Sequence, residues 1–222
     1  ESSRQGVPSV TKTRLAEELL IWARQQGIVA ARTRSYQAQG ALAYAPIAEL
    51  LQTAPINRRV QLLNENRLTQ IARLLPQLLE QRPTLPPPQP MTESWQRQQF
   101  FDALVHVVMA GEQPLLMLLD DLQWADAETL AWLHFLVRAA TQAPLLIVGT
   151  VRSGELNHLH PLSALLNSLR RDDLLTELNL APLNRAEVKT LAQSLLAVTG
   201  DRGFGDDQAE QLYAEAEGNP LF

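Results

Sequence analysis

The chain has 222 residues, 45% of them hydrophobic, which suits one large globular domain, with or without a small appendage, and excludes wholesale disorder. Nineteen Lys and Arg against 24 Asp and Glu give a net charge of −5, without the overall basic footprint of a nucleic-acid binder. There is no cysteine, which excludes disulfides and thiolate metal sites, no apolar run near the ~18 residues of a membrane span, and no signal-peptide core in "ESSRQG".

Residues 6–13, Gly-Val-Pro-Ser-Val-Thr-Lys-Thr, come close to the phosphate-loop pattern G-x-x-x-x-G-K-[ST]. Gly6, Lys12 and Thr13 are in place, but Thr11 stands where the second Gly belongs. A residue with a Cβ costs roughly 1–2 kcal/mol in the left-handed conformation that Gly allows. A phosphate loop normally follows a buried strand, and only the short, polar run 1–5 precedes Gly6. Either the chain begins after its first strand, or these residues are not a working loop.

From Thr13 onward, Leu15, Leu19 and Trp22 recur at i, i+4 and i+7, which predicts a helix ended by Gly27. Residues 28–31 read as a short buried strand. Residues 46–80, rich in Leu, Gln and Arg, read as two or three short helices. "PTLPPPQP" (83–90) is a stiff, extended connector, and its P-x-x-P is read as loop. A helix resumes over 92–110, with Thr92 as N-cap and Phe100, Leu104, Val107 and Val108 facing inward.

Pro114 then opens an apolar strand, 115–119, that runs straight into Asp120 and Asp121. A strand apolar on both faces points to a parallel sheet covered by helices on both sides. Asp126 is placed to cap a helix over 127–140. Pro144 and a second apolar strand, 145–151, repeat the unit, so the fold class is α/β with a parallel sheet. After about residue 180 the strands stop. Asn184 with Glu187 three residues on predicts a capping box, and a last helix starts at Asp206 or Asp207 and stops at Gly218.

The strongest chemical signal is Asp120-Asp121, because ligands of open parallel sheets bind at the carboxyl ends of strands. Mg²⁺ favours one or two carboxylates plus phosphate oxygens and water. The expected division is Asp120 to the hydrated metal and Asp121 to a reacting water. Lys12, at a helix start, would cradle β- and γ-phosphates, and Thr13 would offer the metal a hydroxyl. Arg152, just after the strand "LLIVGTV", could reach a γ-phosphate. His158 and His160 form an H-x-H with no acidic cluster around it, which reads against a metal site. There is no G-x-S-x-G for a serine hydrolase. Trp124 and Trp132 read as packing rather than base stacking, since no basic groove accompanies them.

"KTRLAEELL", "LLMLLDDLQWADAETLAWLHFL", "LLIVGTVRSGEL", "LNLAPLNRAEV" and "AEGNPLF", in this order and spacing, resemble the nucleotide-binding domain of STAND proteins. These are signal-transduction ATPases of the AAA-like P-loop class. The nearest flavour is that of bacterial LuxR-type and large ATP-dependent transcriptional regulators. The resemblance implies a P-loop NTPase-like three-layer sheet with helices on both faces, lacking its first strand, followed by a small helical lid. It implies ATP or ADP with Mg²⁺ as ligands, Lys12 and Thr13 as the Walker A pair, and Asp120 as the Walker B metal ligand. It implies Asp121 as the catalytic acid, Arg152 as a sensor-like arginine and Pro220 as a residue near the adenine.

The resulting expectation is an α/β core over 1–180, with a helical insert at about 46–80, and a partial lid over 181–222. It would be a cytoplasmic ATP-binding module, hydrolysing slowly if at all, with protein partners or further domains of a longer chain and no direct contact to nucleic acid or membrane. The alternative is a nucleotide-free, STAND-like interaction scaffold with a degenerate P-loop.

Overall fold

Six consecutive residues buried on both faces, Leu115–Asp120, form the central strand of a three-stranded parallel sheet. The computed structural model describes residues 9–39, 42–152, 156, 160–181, 183–199 and 205–216. In chain order, helix α1 (Ser9–Gln25) leads into β1 (Val29–Arg34), and four short helices follow, α2 (Ala45–Gln52), α3 (Ala54–Val60), α4 (Glu65–Ile71) and α5 (Gln77–Gln81). Then come α6 (Ser94–Met109), β2 (Leu115–Asp120), α7 (Ala127–Ala139), β3 (Leu145–Gly149) and α8 (Pro161–Arg171). Helices α9 (Arg185–Thr199) and α10 (Asp206–Ala216) close the described chain. The strand order is β1-β2-β3, with β2 in the middle.

Period-2 alternation divides β1 and β2 between two layers. Ala30, Leu116 and Leu118 face α1, where Ala16, Leu20 and Ala23 meet them. Ala31, Leu115, Met117 and Leu119 face the other way, into a larger core built with Ile47, Ile56, Leu68, Phe100, Trp132 and Leu165 from the helices. The sheet is therefore covered on both sides, the α/β architecture that two apolar strand runs and their intervening helices imply. Among the described residues, no helix is long and apolar enough to cross a membrane.

Several local expectations are corrected. Helix α1 starts at Ser9, so Ser9 to Thr13 belong to the helix and Thr11 has no need of a left-handed loop conformation. Its buried stripe is Ala16, Leu20 and Ala23, with Leu19 packed half-buried beside it, whereas Leu15 and Trp22 are each 53% exposed. The small alanines let the helix lie close to the sheet, which the larger residues one position away would prevent. Strand β1 runs on to Arg34, because Arg32 and Arg34 find acidic partners at the sheet edge. The cap of α6 is Glu93 rather than Thr92, with the Gln96 side chain accepting from the backbone N–H groups of both. Helix α8 was not anticipated; His160 caps it, its Nδ1 accepting from the Leu162 N–H at 3.1 Å.

Other local signals hold. Asp126 caps α7, accepting from the Thr129 N–H at 2.9 Å. Asn184 and Glu187 form the reciprocal capping box at the start of α9, at 2.8 and 3.0 Å. Trp132 is buried in the core. Arg185 links α9 to α10, pairing with Glu210 at 2.7 Å and lying over the Tyr213 ring.

Candidate functional site

The parallel register brings the site together. Arg34 of β1 sits opposite Asp120 of β2, and Leu119 sits opposite Gly149 of β3, so all three strands end on one edge. The backbone ladder continues just beyond them, with Ser35 N–H donating to the Asp120 carbonyl and Leu122 N–H to the Thr150 carbonyl. A Cβ at Gly149 would stand 2.5 Å from Leu122 Cδ1 and would have to displace that side chain; the glycine lets Leu122, in the turn after Asp121, lie against β3.

Asp120 is wholly buried. Its Oδ1 accepts from the Thr13 hydroxyl at 2.9 Å and the Thr150 hydroxyl at 2.5 Å, and its Oδ2 accepts from Arg32 Nη2 at 2.8 Å. Burial alone would push this carboxyl up, but the hydrogen bonds from Thr150, Arg32 and Thr13 outweigh it and hold the pKa below the ordinary value. Arg32 in turn donates Nη1 to Glu17 of α1 at 2.5 Å, so its guanidinium is held at both ends. Desolvation lowers the Arg32 pKa and its bonds to Asp120 and Glu17 raise it, with a net shift upward.

Asp121 leaves the strand with φ 55 and ψ 47, in the left-handed region that Asp tolerates better than most residues. Consecutive strand residues would point to opposite faces; this turn instead brings the second carboxylate round to the arginine side. Its Oδ2 accepts from Arg34 Nε and Nη2 at 2.9 and 2.6 Å, and its Oδ1 accepts from Gln123 Nε2 at 3.0 Å. Arg152 Nε lies 3.4 Å from that same Oδ1, an ion pair rather than a hydrogen bond. The hydrogen bond to Asp121 and its charge raise the Arg34 pKa against a desolvation penalty.

Thr150 joins the two acids: its hydroxyl donates to Asp120 and accepts from the Asp121 N–H at 2.9 Å. Lys12 Nζ donates to the Val151 carbonyl at 3.0 Å, next to Arg152, whose N–H in turn donates to Gln123 Oε1 at 3.3 Å. Thus Lys12, Thr13, Asp120, Asp121 and Arg152 converge on one sheet edge. Gly6 and Pro220 lie outside the described residues, as does His158. His160 is occupied as a helix cap and contacts the Gln123 carbonyl through Nε2 at 3.0 Å.

Arg32, Arg34, Glu17, Gln123 and Thr150 also belong to the site, although no motif marks them in the sequence. For the arginines a signal is present in "ARTRS", where, at period-2 spacing, they continue a short apolar strand toward the acids.

A hydroxyl beside a carboxylate is the right donor chemistry for a hard divalent cation. The arrangement does not fit one, however. Both Asp120 oxygens are engaged, the carboxylate has no exposed surface, and a guanidinium already neutralises it. Among the described residues, no group of three or more His, Asp or Glu gathers as a metal cage.

No curated protein matches the chain. The family model of the AAA ATPase domain matches residues 5–148, which spans Lys12-Thr13 and Asp120-Asp121 and stops just before Thr150. That family implies nucleotide binding, usually with Mg²⁺. The match covers more than half of the chain, and with the parallel sheet and the edge where Thr13 meets Asp120 it leaves one conclusion: the chain belongs to the AAA ATPase domain family.

Proposed function

We propose that this chain is the nucleotide-binding module of a STAND-type signal-transduction ATPase, of the kind found in bacterial transcriptional regulators. The observation that carries the reading is the Thr13 hydroxyl on the Asp120 carboxylate at 2.9 Å, between residues 107 apart in sequence. Lys12 and Thr13 form the phosphate side, Lys12 supplying a point charge for the β- and γ-phosphates and Thr13 tying α1 to Asp120 at the end of β2. Arg152 faces the γ-phosphate as a sensor, and helices α9 and α10 form part of a lid. Asp121 is the group that would orient a water. Its carboxylate is already held by Arg34 and Gln123, so turnover is slow.

Calorimetric titration with ATP tests this, beside Lys12→Ala and Asp120→Asn, each checked for folding by circular dichroism. Saturable binding that Lys12→Ala weakens about tenfold or more is the expected result, since a tenfold loss is about 1.4 kcal/mol of phosphate contact, while Asp120→Asn, which acts only through the Thr13 hydroxyl it holds, weakens it less. A folded wild-type chain that shows no saturation at millimolar ATP overturns the reading.

A second reading, a nucleotide-free scaffold for protein contacts, is favoured by the outer side of β3. Among the described residues β3 pairs with β2 alone, and its Leu146 is 55% exposed. An open strand of this kind can take up another chain by strand addition. It becomes the better account if the calorimetry fails.

A further inference from the structure

The edge is built around two carboxylates, yet its charges are already balanced. Asp120, Asp121 and Glu17 carry three negative charges, and Arg32, Arg34, Arg152 and Lys12 bring four positive ones to the same place. In a site where the acids stood bare, an incoming triphosphate would be repelled unless a divalent cation came between them. Here each acid has its own guanidinium. Arg32 is the critical one, because it takes the last open oxygen of Asp120 and is pinned from behind by Glu17 of α1. A planar, always-charged fork held at both ends is a durable counterion. Removing it would leave a wholly buried carboxylate with only the more distant Arg34, its Nε 4.0 Å from Oδ2, as opposite charge, which is unfavourable.

We propose that Arg32 occupies the position of the divalent cation at Asp120, so that this site binds a nucleoside triphosphate without Mg²⁺. The proposal rests on the nucleotide-binding reading for its ligand, but the counterion role of Arg32 is separable from it. Arg32 screens Asp120 from the phosphates, Arg34 screens Asp121, and the excess positive charge of Lys12 is left for the phosphate chain. A metal would enter at Asp120 only by driving Arg32 back onto Glu17 alone.

The test has two arms on the full chain. In the first, Mn²⁺ alone is titrated into nucleotide-free protein and free Mn²⁺ is read by electron paramagnetic resonance. The wild type is expected to take up no Mn²⁺ below about millimolar concentration, whereas Arg32→Gln uncovers Asp120 and gains a site at least about tenfold tighter. Asp120→Asn added to Arg32→Gln abolishes that gain. In the second arm, ATP is titrated by calorimetry in EDTA and in Mg²⁺. Wild-type affinities are expected to agree within about threefold, and Arg32→Gln is expected to lose about tenfold or more in EDTA relative to Mg²⁺.

Two wild-type results overturn the proposal without any variant: Mn²⁺ binding at micromolar concentration that Asp120→Asn removes, or ATP binding that collapses in EDTA. A folded Arg32→Gln chain that gains no Mn²⁺ site also overturns it. If ATP binds in neither buffer, the nucleotide reading has failed, and the Mn²⁺ arm still decides the role of Arg32.

Discussion

Thr150→Val is the sharpest probe of how the acid pair is held. Valine matches threonine in shape, so the substitution removes one hydroxyl and leaves the packing in place. That hydroxyl makes two buried bonds, donating to Asp120 Oδ1 at 2.5 Å and accepting from the Asp121 N–H at 2.9 Å. Losing a hydrogen bond to a charged acceptor costs about 1.5–3 kcal/mol, and stranding a buried backbone N–H costs about 1–3 kcal/mol. Because both act through one side chain they do not simply add, and a loss of about 3–5 kcal/mol is expected. Against a total stability of about 5–15 kcal/mol this is a large fraction. Urea unfolding followed by circular dichroism reads it directly: with a slope of about 1–3 kcal/mol per molar, the midpoint falls by roughly 1–5 M at constant slope. Thr150→Ser keeps the hydroxyl and loses one methyl, for about 1 kcal/mol. A valine variant within about 0.5 kcal/mol of the serine variant would refute the reasoning, because the hydroxyl would then carry no structural weight.

Three further outcomes follow from other parts of the molecule. Arg59 is buried, donates to the carbonyls of Val108 and Gln113 at 2.5 and 2.6 Å, and has its pKa lowered by burial; Arg59→Leu should cost about 2–4 kcal/mol in urea unfolding and speed amide exchange over 109–113. Tyr44 is pushed up to about 12, by burial first and then by its hydrogen bond to Glu128. A folded pKa raised above the unfolded value of 10.0 means that its stabilising contribution is complete below pH 10 and is lost as pH rises through about 12. Ultraviolet titration should therefore show a phenolate component near 12 that Tyr44→Phe removes. Asp126 caps α7 and also accepts from the Tyr44 N–H at 3.0 Å and the Thr129 hydroxyl at 2.6 Å. Asp126→Ala should therefore exceed the ~1 kcal/mol of an ordinary cap, reaching about 2–4 kcal/mol by thermal or urea unfolding.

The parts of the fold legible in the sequence were those written as uninterrupted local signals. The run 115–119 is apolar on every residue and reads as the buried strand it is, the run 145–151 reads as a strand that in fact ends at Gly149 and is only half-buried, and Asp126, Asn184 and Glu187 announce helix starts through chemistry that acts within four residues. What was missed depends on partners far along the chain. Strand β1 reads only as far as Ala31, where the apolar run ends; the acids that hold Arg32 and Arg34 in the strand lie 88 and 87 residues away. The phase of α1 was misjudged because hydrophobicity favours Leu15 and Trp22, while the distance to the sheet selects Ala16 and Ala23. At the site, the acids, Lys12, Thr13 and Arg152 were legible from motif spacing. Thr150 and Gln123 were not, since a threonine and a glutamine gain meaning here only from the carboxylates they touch.

The left-handed backbone at Asp121 bears on how the second acid should be interrogated. Alanine has no short polar side chain to favour φ 55, so Asp121→Ala would combine the loss of a charge with a backbone strain of roughly 1–2 kcal/mol. Asparagine shares the conformational tolerance of aspartate and keeps an oxygen where Arg34 can still donate. Glycine removes the side chain and accepts the backbone freely. An alanine scan across this turn would thus overstate the electrostatic importance of Asp121, and the difference between the alanine and glycine variants would measure the overstatement as a conformational quantity in its own right.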